Sequence, residues 1–280
     1  MTALTQQASR PRVIVTRPAR EASAWVQSLS QAGLQAVALP LIDILAVDDP
    51  SPVQHAWQQL DGYAAVMFVS ANAVAGFFAS KPAEVQCLMA QEALKNRAIP
   101  RAWATGPGTV QALKQAGVPT ELMDAPLLEV AQFDSEALWK QVAGQVQADQ
   151  RVLIVRGRDG QAVSDLQGRG VGRDWLASRL TQAGAVVDFV VAYQRACPQF
   201  DTPQQQLAQS AARDGSVWLF SSSEAIANLR VNLPFQDWSA ACAVATHARI
   251  AAAVKLAGFG VVCESRPTVA DIVGSIESIR

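Results

Sequence analysis

The chain is poor in the residues from which metal sites and disulfide frameworks are built. It has only two histidines, His55 and His247, and four cysteines that lie far apart in the sequence. A zinc site would need an unusual ligand set, since no CxxC pair is present. We therefore expect no metal, and buried thiols in a reducing compartment.

An excess of charge of one sign is also lacking. The chain has 23 lysines and arginines against 24 acidic residues, which argues against a general nucleic-acid-binding function. The N-terminus lacks the apolar segment of a signal peptide. The uncharged segment 62–80 approaches the length of a membrane-spanning helix, but Ser70 and Asn72 interrupt it. It is better read as a buried strand, a turn and a helix, so we expect a cytoplasmic protein.

Half of the residues are hydrophobic, and they fall in short runs that alternate with longer amphipathic segments. The strand-like runs are short and apolar: 12–16, 64–69, 101–104 and 151–156. The helix-like segments have apolar residues at helical spacing: 21–31, 53–60, 83–94, 109–115 and 133–146. This alternation predicts an α/β fold with parallel strands joined by helical crossovers.

The two halves of the sequence resemble each other. The matching pairs occur in the same order: "VIVTRPAR" (13–20) with "VLIVRGRD" (152–159), 25–41 with 175–191, "VMFVSANAVAGFF" (66–78) with "VWLFSSSEAIANL" (217–229), and 101–118 with 243–259. Four ordered matches indicate an internal duplication. The repeat is too long for a solenoid, so it predicts two similar α/β units.

The stretch "TGPGTV" (105–110) raises the possibility of a nucleotide site. Its spacing fits neither a Walker nor a dinucleotide motif, and its repeat partner "THARIA" (246–251) lacks both glycines. Both copies keep a strand that ends in Ala-Thr and a helix that begins just after it. Helix N-termini offer free N–H groups, so the shared element favours capture of a carboxylate or phosphate.

An ordered set of motifs resembles the uroporphyrinogen-III synthase family. The motifs are "VTRPA" (15–19), "FVSANAV" (68–74), "ATGPGTVQAL" (104–113), "VRG" (155–157), "GRDWLASRLTQAGAVV" (172–187), "AYQR" (192–195), "FSSSEAI" (220–226) and "RPTVADIVGSI" (266–276). No single motif is specific, and their order along residues 12–279 carries the resemblance.

The resemblance implies an α/β architecture of two similar parallel-sheet, flavodoxin-like domains joined by a two-stranded linker, a HemD-like fold. Residues 1–39 and 198–280 would form one discontinuous domain, and residues 48–186 the other. The segments 40–47 and 187–197 would be the linker strands. The ligand would bind in the cleft between the domains.

The resemblance also implies an activity. The family cyclises hydroxymethylbilane, a linear tetrapyrrole with eight carboxylates, to uroporphyrinogen III with inversion of ring D and loss of water. It uses no cofactor or metal. The expected protein is a monomeric hydro-lyase of haem biosynthesis, with hydroxymethylbilane synthase as a candidate donor of substrate and with neither nucleic acid nor membrane as a partner.

The candidate substrate-binding residues lie where strands are expected to end, because ligands of parallel sheets collect there. They are Arg17, Ser70, Ala71, Asn72, Thr105, Gly106, Thr109, Arg156, Gly157, Ser221, Ser222, Ser223, Thr246 and Arg249. The arginines would pair with substrate carboxylates or, alternatively, with acidic residues of their own domain. The hydroxyl and N–H groups would bind carboxylates, cap helices, or do both.

Four further expectations concern particular positions. Tyr193 matches the family's candidate catalytic tyrosine, which helps the hydroxyl leave, and the alternative is a ring that packs the linker. Arg249 is expected at the repeat position of Thr109, and His247 is expected to cap a helix. The Gly- and Asp-rich insert 158–171 is expected to be a mobile loop.

Two other function classes remain to be weighed. The main alternative is a two-domain protein of the periplasmic-binding type, which holds a small anion in its cleft without catalysis. The missing signal peptide argues against that alternative. A response-regulator-like module would need an acidic cluster after the first strand, and "VTRPAR" (15–20) has none.

Overall fold

A computed structural model describes residues 11–83, 99–126, 135–159 and 171–279. The predicted helix 83–94 beyond Ala83, and residues 160–170 of the insert, lie outside the described residues. Within them the chain forms eleven strands and ten α-helices. It divides into two compact units.

One unit takes in the described residues of Met1–Asp43 and Ala196–Arg280. Its parallel sheet has the order β2-β1-β9-β10-β11. The strands are β1 (Arg12–Val15), β2 (Gln35–Ala38), β9 (Val217–Phe220), β10 (Cys242–Ala245) and β11 (Val261–Glu264). The helices are α1 (Ala19–Gln31), α7 (Thr202–Ala211), α8 (Ser223–Asn232), α9 (Ala248–Leu256) and α10 (Val269–Ser278). We call this unit 1.

The second unit, unit 2, is Ile44–Arg195. Its sheet has the order β3-β8-β7-β4-β5-β6. The strands are β3 (Asp43–Leu45), β4 (Ala65–Phe68), β5 (Arg101–Ala104), β6 (Met123–Asp124), β7 (Arg151–Asp159) and β8 (Val186–Ala196). The helices are α2 (Ser51–Gln58), α3 (Ala71–Ala79), α4 (Pro107–Gln115), α5 (Ser135–Val142) and α6 (Val171–Gln182).

The two sheets have the same arrangement of repeated strands. In unit 1 the order is the flavodoxin-like one, in which the first strand of the unit lies between the second and the third. In unit 2 the repeat-equivalent strands β8, β7, β4, β5 and β6 follow in the same spatial order, although β4 comes first in the chain. The prediction of two similar parallel-sheet units is therefore confirmed.

The central strands explain why the sequence folds in this way. All four residues of β4 and all four of β9 are buried, as expected for strands covered by helices on both faces. In unit 2, Val66 and Phe68 belong to one core cluster, and Ala65 and Met67 to the other. This alternation is the twofold period of a strand.

One part of the insert differs from the sequence-based expectation. Arg158 and Asp159 do not belong to a loop, because β7 continues through them. They pair with Gln194 and Arg195 of β8, beyond a register shift between Arg156 and Gly157. Pairing with a long neighbouring strand outweighs the loop preference of Gly and Asp.

Candidate functional site

Many of the candidate residues follow strands at their carboxyl ends: those at 70–72 follow β4, those at 105–109 follow β5, those at 221–223 follow β9 and those at 246–249 follow β10. Arg156 and Gly157 instead lie within β7. In each unit the strand order reverses at one place, the switch point. In unit 1 this switch point lies between β1 and β9, and in unit 2 between β7 and β4. Open α/β sheets bind ligands outside the strand ends at such a point. The turns after β4 and β9 therefore border the expected binding positions.

Tyr193 is the centre of a compact cluster in unit 2. Its side chain is buried, with 2% exposed. Its hydroxyl lies 3.2 Å from the Oγ of Ser70 and accepts a hydrogen bond from the Nη2 of Arg195 at 3.4 Å. The β7–β8 ladder thus brings a strand residue to the turn that begins α3.

Gly157 provides the space that the tyrosine ring occupies. It pairs with Tyr193 across the ladder, just after the register shift. A Cβ atom at this position would overlap the Tyr193 ring. The structure therefore gives Gly157 a packing role beside Tyr193.

The turns after β4 and β5 are joined by hydroxyl groups. Ser70 is the N-cap residue of α3, and its Oγ accepts the N–H of Ala73 at 3.1 Å. Ala71 and Asn72 form the first helical positions. Thr105 donates to the carbonyl of Val69 at 3.2 Å, and its Oγ1 lies 3.4 Å from that of the buried Thr109.

Gly106 is the N-cap residue of α4, and it offers no side chain to the first N–H groups of that helix. The helix begins at Pro107, which has no N–H to satisfy. The N–H of Thr109 bonds the carbonyl of Gly106 at 3.0 Å. The N–H of Gly108 is therefore the donor of this first turn that an anion could use.

The equivalent turns of unit 1 have similar caps. Ser222 caps α8 by accepting the N–H of Glu224 at 3.2 Å. The Oγ of Ser223 is buried and has no hydrogen-bond partner among the described residues. Ser221 precedes the cap, and the N–H of Thr246 bonds the carbonyl of Phe220 at 3.1 Å. His247 caps α9, and its Nδ1 accepts the N–H of Arg249 at 3.0 Å.

Two positional predictions are wrong by one residue. The strand and helix limits put Ile250, not Arg249, at the position of Thr109, so Arg249 corresponds to Gly108. They also put Ser222, not Ser221, at the position of Ser70. The first shift is already present in the pairing of 105–110 with 246–251, which sets Gly108 against Arg249. The second arises because neighbouring serines leave the register open until the cap residue is known.

The two repeat-related arginines have different surroundings. Arg17 pairs with Glu21 at 3.3 Å and lies over the ring of Trp25, within its own unit. Burial lowers the pKa of its guanidinium, while Glu21 acts in the opposite direction. Arg156 lies over the half-exposed ring of Phe189. Arg17 therefore has an acidic partner within its own unit, which is the alternative that the sequence left open for this residue.

Sequence reasoning missed Arg195 and Thr16. Arg195 is two residues after Tyr193 on the same strand, so both side chains lie on one face, and the motif "AYQR" held that signal. The buried Thr16 donates to the carbonyl of Leu219 at 2.7 Å and ties β1 to the end of β9. A single sequence does not show which threonine will be buried and will donate a hydrogen bond in this way.

The residues that the structure describes show neither a metal-ion cluster nor a membrane-spanning helix. No group of three or more histidine, cysteine, aspartate or glutamate side chains is arranged to hold a metal ion there. Within the same ranges, none of the helices combines the length and the apolar character that crossing a bilayer requires.

Comparisons with known proteins agree on one family. The family model described as uroporphyrinogen-III synthase HemD matches residues 23–274. A uroporphyrinogen-III synthase of Chlorobaculum parvum is 33% identical over 147 residues, which is 52% of this chain and 52% of that protein. The match therefore spans about half the length of this curated relative.

Solved structures show the same fold. A uroporphyrinogen-III synthetase from Helicobacter pylori aligns with a TM-score of 0.54 and 15% identity, covering 96% of this chain and 100% of that chain. A mutant uroporphyrinogen III synthase from the extremely thermophilic bacterium Thermus thermophilus aligns with a TM-score of 0.51 and 14% identity, covering 96% of this chain and 98% of that chain. At these identities the likeness is one of fold.

Proposed function

Because the chain belongs to the uroporphyrinogen-III synthase family, we propose that it converts hydroxymethylbilane into uroporphyrinogen III with loss of water. The hydroxyl of the linear tetrapyrrole takes up a proton and leaves as water, and the substituted carbon of ring D attacks the resulting cation. Fragmentation and reclosure of the spiro intermediate invert ring D, and loss of one proton then gives the neutral product. The family match supports this activity over the binding protein without catalysis.

The observation that carries the proposal is the hydroxyl pair at the switch point of unit 2. Ser70 Oγ and the hydroxyl of Tyr193 lie 3.2 Å apart, beside the N-terminus of α3. A leaving hydroxyl needs a hydrogen-bond donor, and neutral hydroxyl groups can supply one. Unassisted closure gives the type I isomer, so holding the two chain ends together is the greater part of the task.

The substrate carboxylates need donors in both units. We propose that the helix N-termini at Ser70, Gly106, Ser222 and His247 supply N–H groups to them. The side chains and backbone proposed to take part are Arg17, Ser70, Ala71, Asn72, Thr105, Gly106, Thr109, Arg156, Ser221, Ser222, Ser223, Thr246 and Arg249. Gly157 takes part by admitting the ring of Tyr193.

We also propose a domain organisation, an oligomeric state, a location and a source of substrate for the enzyme. The two units act as the two domains of the enzyme, with segments 40–47 and 187–197 as linkers. The enzyme works as a monomer in the cytoplasm and receives hydroxymethylbilane from hydroxymethylbilane synthase.

A coupled assay tests the activity. Hydroxymethylbilane is generated in place by hydroxymethylbilane synthase, the purified chain is added, and the products are oxidised to porphyrins and separated by chromatography. We expect the type III isomer with the chain and type I without it. Type I alone in both samples would overturn the proposal.

A further inference from the structure

The hydrogen bonds around Tyr193 have a direction that follows from counting protons. Arg195 can only donate, so the tyrosine oxygen accepts from it. The phenol has one proton, and Ser70 Oγ is its only acceptor among the contacts of the described residues. A buried hydroxyl proton without an acceptor would be costly. Tyr193 therefore donates to Ser70.

Counting donors and acceptors in the same way leaves the hydroxyl proton of Ser70 without an acceptor among the described residues. Ser70 Oγ accepts the N–H of Ala73 and the O–H of Tyr193, which uses both of its lone pairs. The O–H of Ser70 has no acceptor among the described residues, and this side chain is only partly buried. The chain of bonds thus runs from Arg195 through Tyr193 to a serine proton that is left for a ligand.

Tyr193 itself is poorly placed to touch a ligand. Its side chain is 2% exposed, and its ring fills the space above Gly157. Direct contact with the substrate would require the ring to leave this position and to break its bonds to both partners. Ser70 is only partly buried, so a ligand could reach its hydroxyl without any movement of the ring.

We propose that Ser70 is the catalytic hydroxyl that donates a hydrogen bond to the leaving hydroxyl of the substrate, and that Tyr193 and Arg195 are positioning residues that act through it. This inference rests on the proposed function. It assigns to Tyr193 an indirect role, in place of the direct role expected from its sequence.

The positive charge of Arg195 strengthens each hydrogen bond in the chain that leads to Ser70. A cation that donates to the tyrosine oxygen makes the phenol a stronger donor to Ser70. A serine oxygen that accepts a strong bond becomes a stronger donor in turn, because hydrogen bonds in a chain polarise one another. The N–H of Ala73 fixes the serine oxygen at the helix N-terminus.

A double-mutant cycle tests the inference in the coupled assay. We expect Ser70→Ala to lower kcat at least about tenfold, and Tyr193→Phe to lower it less, since a single acid–base group contributes about 10² or more. The double variant should fall within about twofold of Ser70→Ala, because Tyr193 acts through Ser70. KM should change little, and Ser70→Thr should recover much of kcat.

The Arg195→Gln variant provides a second test in the same assay. It should lower kcat in the wild-type background and leave kcat nearly unchanged in the Ser70→Ala background. Tyr63→Phe is the matched control, because Tyr63 is a buried tyrosine whose hydroxyl also accepts from an arginine, Arg151, at 3.1 Å. Tyr63 precedes β4, at the other end of the sheet from Ser70, so the kcat of this variant should equal that of wild type.

The outcomes separate the two proposals. Suppose that wild-type protein forms type III isomer, but kcat of the double variant falls by the product of the two single-variant factors, or kcat falls further in Tyr193→Phe than in Ser70→Ala. The indirect role of Tyr193 is then overturned, and the proposed function stands. If wild-type protein gives only type I isomer, the function itself fails. Thermal unfolding of each variant shows whether a loss of kcat reflects a loss of fold.

Discussion

The five repeat-equivalent strands have the same spatial order in units 1 and 2, but the two units differ at the end of one of these strands. Arg17 and Arg156 are repeat-related, but Arg17 is followed by Pro18, the N-cap residue of α1, whereas Arg156 is followed by Gly157. In unit 1 the chain enters a helix at this point. In unit 2 β7 continues beside β8 to Asp159, and Tyr193 packs on Gly157.

This difference indicates how two units with the same strand order can differ in function. Both units have capped helix N-termini at the switch point, at Ser70 and at Ser222. Only unit 2, within the described ranges, adds a tyrosine hydroxyl behind the cap. We infer that unit 1 contributes mainly to binding and that unit 2 contributes to both binding and chemistry.

The largest effect is expected from Gly157→Ala. A Cβ atom would overlap the Tyr193 ring, so the variant should lose about 1–3 kcal/mol of stability from overpacking and should also lose kcat. Pro18→Ala at the repeat-related position should cost less than about 1 kcal/mol. Urea denaturation of the two variants measures both effects. Equal losses would contradict the packing role of Gly157.

The second comparison changes the two equivalent serine caps. Ser70→Ala and Ser222→Ala should each lower stability by about 1 kcal/mol, the usual value of an N-cap. Kinetics in the coupled assay should separate them: Ser70→Ala lowers kcat, and Ser222→Ala raises KM. A fall of kcat in both variants by the same factor would remove the functional distinction between the units.

The third comparison changes the two repeat-related arginines. Arg17→Gln removes a contact with Trp25 and a pair with Glu21, so it should lower stability by about 1 kcal/mol. Arg156→Gln removes a contact with Phe189, so it should lower stability by up to about 1 kcal/mol. It should also raise KM about fivefold, because a partly exposed charged contact with a substrate carboxylate is worth up to about 1 kcal/mol. A rise of KM in Arg17→Gln but not in Arg156→Gln would assign the carboxylate to Arg17 alone.

The smallest effect is expected from His247→Ala. Its Nδ1 accepts one N–H at the start of α9, so its loss should cost about 0.5 kcal/mol, the low end for an N-cap. The values of kcat and KM should remain those of wild type, and His247→Asn should restore the melting temperature. A large loss of kcat in His247→Ala would give this residue a catalytic role that a cap does not have.

The apolar runs and the internal repeat were sufficient to predict the parallel sheets. Strands such as β4 and β9 are short, wholly buried and bounded by turn residues, and this pattern is clear in a sequence. The predicted limits of β5 agree with the structure because a buried strand has few alternatives.

The details of the site could not be predicted in the same way. The repeat match put Ser221 opposite Ser70, because adjacent serines are interchangeable in a sequence and only the cap geometry distinguishes them. The burial of Tyr193 and its bond to Arg195 depend on a register shift in the β7–β8 ladder. A shift of this kind leaves no signal in composition or periodicity.

The most direct test of the account is the product isomer under single-turnover conditions. Purified protein in excess is mixed rapidly with hydroxymethylbilane, and the porphyrins obtained after oxidation are separated by isomer. The account predicts almost entirely type III isomer, formed faster than spontaneous closure. Type I isomer formed at the rate of the enzyme-free sample would contradict it.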